Sequence, residues 1–235
     1  MTRIMAFAFL ALLAAPAAAA DRTYQVRDFD RLIVEGPYDV HLVVGGPTRA
    51  AASGSRDGLE RVTFDVQGQT LRIRRNRSAW VGTPGTEAAP LRIEISTRFL
   101  RSARLMGPAR LDVEGARGIN VELAVEGGGR IRATGIAADN LALGLRGSGS
   151  LEAAGTAGVL SGQFEGTGNV EASRLIARQA AITTSTGGSV AVTVNGPAAV
   201  TAYGIGEVAI LGLADCTLSG PAAAQVRCAG GSGRR

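Results

Sequence analysis

The feature that most constrains this chain is a repeat. The stretch "LRGSGSLEAAG" (Leu145–Gly155) sets glycines around a short apolar alternation. Sliding it along the sequence finds equivalent positions at Gly107, Gly127, Gly147, Gly166, Thr186 and Gly204, separated by 20, 20, 19, 20 and 18 residues. A period near twenty, with one supersecondary unit per repeat, is the signature of a solenoid. The columns agree with the spacing. Four residues past each anchor stand Leu111, Ile131, Leu151, Val170, Val190 and Val208, and two further on stand Val113, Ala133, Ala153, Ala172, Val192 and Ile210. Strand side chains change face at every residue, so these apolar columns point inward and the column between them points out.

A second strand precedes each anchor, with Leu105, Val125, Leu145 and Phe164 two residues before it; Gly162 and Thr184 are its weak rungs. The glycines between the two strands are corners, where the backbone needs a positive φ or a close approach. Stacked coils should pair as parallel strands about 4.8 Å apart. Outward residues then form ladders, Asp112–Arg132–Glu152 and Glu126–Arg146–Glu165, whose alternating signs fix register and contribute roughly 0.2–1 kcal/mol per pair. The expected fold is all-β, a right-handed parallel β-helix-like solenoid, the hand following the usual crossover rule.

The N-terminal part begins in the same idiom, since "VEGPYDVHLVVGG" (Val34–Gly46) matches "LMGPARLDVEG" (Leu105–Gly115) and puts His41 outward. Between these copies, "VTFDVQGQTLRIR" reads as a hairpin about Gly68 and "LRIEIS" as a strand. "NRSAWVGTPGTEAAP" (Asn76–Pro90) reads as a loop. Residues 21–101 are thus expected to form an N-terminal hairpin-bearing β section, and 102–215 regular coils of about 20 residues. Residues 216–235 are expected to be a disulfide segment with a flexible tail.

Residues 1–20 read as a signal peptide: Arg3, an apolar run from Ile4 to Ala15, then Pro16 and small residues ending in an A-x-A-type site before Asp21. The run is shorter than the roughly 20 residues of a membrane span, so a non-spanning exported protein is expected, in the periplasm, at the cell surface or in the medium. Cys216 and Cys228, the only cysteines, read as a disulfide in such a compartment. The +5 charge is carried without any lysine. Its arginines are interleaved with acids, which argues against nucleic acid and leaves anionic glycans or lipids as partners.

The order "FDRLIVEGPYDVHLVVGG", "LERVTFDVQGQTLRIR", "PLRIEISTRFLRSARLMGPARLDVEG" resembles the putative auto-transporter adhesin head domain family, a GIN-type domain of unknown function. The resemblance runs from about Phe29 to Gly212. It implies a β-helix-like fold, a surface or periplasmic location and an adhesin role, and it brings no catalytic residues or cofactor with it.

The binding residues indicated by the sequence are Arg72, Arg74, Arg75 and Arg77 with Trp80, in "RIRRNRSAW". Guanidinium forks suit an anionic glycan or a lipid phosphate, and the indole suits a sugar ring. The plainer reading is a basic edge strand that repels strand addition. An enzyme, a glycoside hydrolase or lyase on the same scaffold, would draw on Glu152 and Glu171, adjacent on one outward column; with no aromatics in that column, a solvated ladder is the better reading of them. Neither a metal site nor a dinucleotide site is expected, since there is one histidine and "GIGEVA" is followed by strand residues rather than a helix. The expected activity is therefore non-enzymatic, structural or adhesin-like binding of glycans or envelope partners, as a monomer or a trimer.

Overall fold

The computed structural model describes residues 20–76 and 90–230. Over those residues it is a β-solenoid with one short α-helix, Arg56–Arg61, and a single 3-10 turn, Ala223–Gln225. The expected signal peptide, apart from Ala20, and the end of the tail lie outside the described residues.

Each coil contributes a strand to two principal faces. On the first face, Arg31–Glu35 pairs in parallel with Ser102–Met106, which pairs with the last part of Arg117–Glu126. The ladder continues through the ends of Arg130–Gly147, Ser150–Gly166 and Asn169–Thr186 to Pro197–Ala202 and Asp215–Ser219. On the second face, Tyr38–Val44 pairs in parallel with Arg110–Glu114, and the ladder runs on to Val190–Val194, Val208–Leu211 and Val226–Cys228. A third, shorter face joins them: Ala138, Ala157 and Ala177 stand in one row, and Asn120 lies opposite Asn140 where this face meets the first. The strands pass from second to third face through register shifts near Ala133, Glu152 and Ala172 rather than through a break.

The core is the stack of inward rows. Leu32, Leu71, Ala103, Leu123 and Leu143 occupy one, all essentially buried. Each large aliphatic group buried this way contributes roughly 1.5–3 kcal/mol, and only because a coil above and a coil below cover it. The corners need their glycines for two different reasons. Gly147 has φ +114°, while a Cβ on Gly149 would lie 2.4 Å from the Gly129 carbonyl oxygen of the previous coil.

The N-terminal segment is woven into the stack rather than placed before it. Thr70–Arg75 pairs with the far side of Arg31–Glu35, and Leu91–Thr97 with the far side of Tyr38–Val44. Antiparallel strands then close this end. Val62–Gln67 folds back on Thr70–Arg75, the expected hairpin, with Gly68 at φ +60°. Arg49–Gly54 covers Leu91–Thr97 and is itself covered by Ala20–Tyr24. The two outermost strands meet through Tyr24 and Phe64, whose rings stack at 4.1 Å. Ser55 caps the helix by accepting from the Gly58 amide at 3.1 Å, and Leu59 is buried beneath it. The opposite end is closed covalently. Cys216, an inward residue of the first face, bonds Cys228 of the second, with their Cα atoms 6.5 Å apart.

Candidate functional site

Strand parity separates the arginines that the sequence groups together. In Thr70–Arg75, Arg72 and Arg74 alternate with buried Leu71 and Ile73, so they stand outside. Arg75 has the opposite parity, and its charge is felt by Tyr38. Arg77 and Trp80 lie outside the described residues. Arg72 is engaged: its Nε lies 3.6 Å from Glu35 Oε1, and Asp65 is its cross-strand neighbour. The edge-strand reading is corrected here, because residues 70–73 are paired on both sides.

The concavity on this face lies beside that strand. It is a hollow of about 670 Å³ along the outside of the first face, a volume in the range of small-molecule sites. The row Thr70, Arg31, Ser102, Glu122, Ala142 crosses five rungs of it, which at rung spacing makes it about 19 Å long. Its polar groups are Arg31, Arg101, Arg104, Asn120, Glu122 and Asn140 with the hydroxyls of Thr70 and Ser102, beside the half-buried Ile33.

These groups are already tied to one another. Arg101 Nε contacts Asp30 Oδ2 at 3.0 Å, and Arg31 Nε stands 4.0 Å from Oδ1 of the same carboxylate. Asp30 is buried, and its Oδ1 accepts no hydrogen bond, so the two guanidiniums supply its compensation. Arg104 lies 3.1 Å from Glu122 and 3.6 Å from Glu126. Asn140 Nδ2 donates to Asn120 Oδ1 at 3.1 Å. The hollow therefore offers N–H donors and carboxylate or amide acceptors side by side, with its charges balanced. Hydroxyl groups, which both donate and accept, match that lining.

The other candidates fall on the second face. Glu152 and Glu171 are register neighbours, as expected. However, Glu152 Oε2 pairs with Arg132 Nε at 3.7 Å, and Glu171 Oε1 accepts from the Ser173 amide at 3.2 Å. Each carboxylate thus has its own partner on a solvated ladder. His41 stands outward between Glu94 and Asp112, with Glu114 at 4.0 Å. Among the described residues no cluster of histidine, cysteine and acidic groups is arranged to hold a metal.

Residues 28–214 match the family model described as "Putative auto-transporter adhesin, head GIN domain". The chain belongs to this family. Solved structures carry the same fold at low identity. A putative adhesin from Bacteroides fragilis is 18% identical with a TM-score of 0.79, over 91% of this chain and 97% of that one. A putative lipid binding protein from Parabacteroides distasonis is 17% identical with a TM-score of 0.63, over 92% and 96%. A putative adhesin from Parabacteroides merdae is 12% identical with a TM-score of 0.59, over 90% and 95%. No curated protein matches in sequence.

In this adhesin-family chain no described helix is long and apolar enough to cross a membrane. The disulfide and the family together fit an exported protein. The residues of the hollow were missed in the sequence for a topological reason. Arg31 and Ser102 are rung neighbours although 71 residues apart in the chain. The one readable signal was the 20-residue spacing of Asn120 and Asn140.

Proposed function

We propose that this protein is an exported, non-enzymatic, adhesin-like component of the cell envelope that holds hydroxyl-rich glycans in the hollow of its first face. The observation that carries the reading is the lining: paired guanidiniums, carboxylates and carboxamides, fixed before any ligand arrives. Such preorganisation lowers the ordering cost of binding. The balanced charges favour neutral sugar hydroxyls over a polyanion at this place. The export part of the reading is supported by the N-terminal signal pattern and the disulfide. A glycoside hydrolase or lyase has no observation in its favour, since Glu152 and Glu171 are each engaged separately.

The test is capture of separated envelope polysaccharides by residues 21–235, compared with the double variant Asn120→Ala/Asn140→Ala and with Arg72→Ala/Arg74→Ala. The asparagine variant should bind at least about tenfold more weakly, the cost of losing a pair of ligand hydrogen bonds. The arginine variant should bind like the parent. Equal binding by parent and asparagine variant, or no binding by either, would overturn the proposal.

A further inference from the structure

Outward rows of this solenoid mostly alternate in sign. Asp112, Arg132 and Glu152 follow one another on successive rungs, and Arg146 pairs with Glu165 at 3.5 Å. One row breaks the rule with cations. Register sets Arg110 directly beside Arg130; Asp39 lies on the other side of Arg110, and Arg92 beyond that. Like charges on neighbouring rungs destabilise a sheet, and about 4.8 Å separates these two.

Asp39 is a rung neighbour of Arg110, yet neither guanidinium makes an ion pair among the described residues. All three arginines are exposed, and no ion pair among the described residues reaches Arg92, Arg110 or Arg130. Arg130 is oriented by a neutral group, its Nε donating to Ser150 Oγ at 2.8 Å. The acids of the adjoining row, Glu94 and Asp112, flank His41 instead. The guanidiniums of the hollow on the first face, by contrast, are all in ion pairs, Arg31 and Arg101 sharing Asp30 and Arg104 on Glu122.

We propose that Arg110 and Arg130 form a binding site for a tetrahedral oxyanion, the phosphate or sulfate group of an ester. Such a group presents three terminal oxygens and can accept a bidentate fork from each of two guanidiniums, whereas a carboxylate, with two oxygens, takes one bidentate fork. The anion also removes the repulsion between the two rungs, so its binding stabilises the fold as well as the complex. Arg92, two rungs from Arg110 and about 10 Å away, extends the row toward a ligand with a second charge. The site lies on a different face from the glycan hollow, so variants here leave glycan capture unchanged.

The experiment is thermal unfolding of residues 21–235 in sodium phosphate, sodium sulfate and sodium chloride at matched ionic strength. The parent is compared with Arg110→Glu, Arg130→Gln and the control Arg117→Ala on the third face. Phosphate and sulfate strengthen folding non-specifically, so the readout is the difference between chains. Parent and control should gain an additional, saturable rise in Tm. Arg110→Glu removes one fork of the site and sets a second carboxylate beside Asp39, so it should gain nothing in its chloride Tm and show no saturable rise. Arg130→Gln should need at least about tenfold more anion. Sulfated oligosaccharides and phosphatidic acid vesicles, with phosphatidylcholine vesicles as blank, then separate a glycan ester from a lipid headgroup. A saturable rise of equal size in Arg110→Glu, or no rise beyond chloride in the parent, would overturn the site.

Discussion

Gly162 and Phe164 divide one volume of core between them. Their inward rows are neighbours, Leu143–Gly162–Ile182 and Leu145–Phe164–Thr184. A Cβ on Gly162 would lie 2.7 Å from Phe164 Cζ and 2.8 Å from Cε2. Phe164 is fully buried, its ring lies over the glycine, and its neighbour on the next rung is the smaller Thr184. Gly162→Ala should therefore lower stability by about 1–3 kcal/mol, the cost of overpacking, read as a lower urea midpoint. Phe164→Leu in the same background should return part of the loss, and the double-mutant cycle should give a coupling of about 0.5–3 kcal/mol. Simple additivity would show that the two residues do not share the space. In sequence, both Gly162 and Thr184 look like defects in a ladder. Reading each column separately hides the compensation, because the missing volume of one row is filled from the row beside it.

At the scale of elements, the sequence match between "VEGPYDVHLVVGG" and "LMGPARLDVEG" turns out to be a direct contact. Val34, Val40 and Leu42 lie opposite Leu105, Leu111 and Val113 on the next rung. The hairpin about Gly68 was equally legible. What could not be read was the order of strands in space: the chain lays its first coil down, turns away, and returns to add Thr70–Arg75 and Leu91–Thr97 on the far side. Pattern shows which residues face inward but not which strand lies next to which, so the hollow's arginines stayed scattered. The closed end also has a pH signature. Burial pushes the Tyr24 phenol above the ordinary tyrosine value, against the charge of Arg22, and does the same to Tyr38 against Arg75. The protonated form is thus favoured in the native state. Below the ordinary value both states hold the proton and the contribution is complete; as pH rises through it, the unfolded chain loses protons first and stability falls. The chain has no lysine and its cysteines are bonded, so little else titrates there. Urea midpoints should decline between about pH 9 and 11, and Tyr24→Phe/Tyr38→Phe should flatten the decline. A slope unchanged in that variant would assign the effect elsewhere.

For the whole molecule, the consequence of a stack is that stability is local. Each coil contacts only its neighbours, so an end can open without the middle. The two ends are closed by unlike means. An aromatic pair, a short helix and antiparallel strands cover one, while Cys216 and Cys228 staple the two faces at the other. Pairing of the cysteines was legible from compartment and count; its role as a cross-core staple was not, because that depends on their landing on inward rows of opposite faces. Closing a loop between cysteines 12 residues apart is worth roughly 3 kcal/mol in the chain-entropy account. In a solenoid that energy guards the last coils rather than the whole fold. Cys216→Ala/Cys228→Ala should therefore lose amide-exchange protection in Val208–Leu211, Asp215–Ser219 and Val226–Cys228. Protection in Arg130–Gly147 should stay at the parent level, and anion response at Arg110 and Arg130 should persist, since both lie several coils away. Uniform loss of protection along the chain would show instead that the coils unfold as one cooperative unit, with the staple holding all of them.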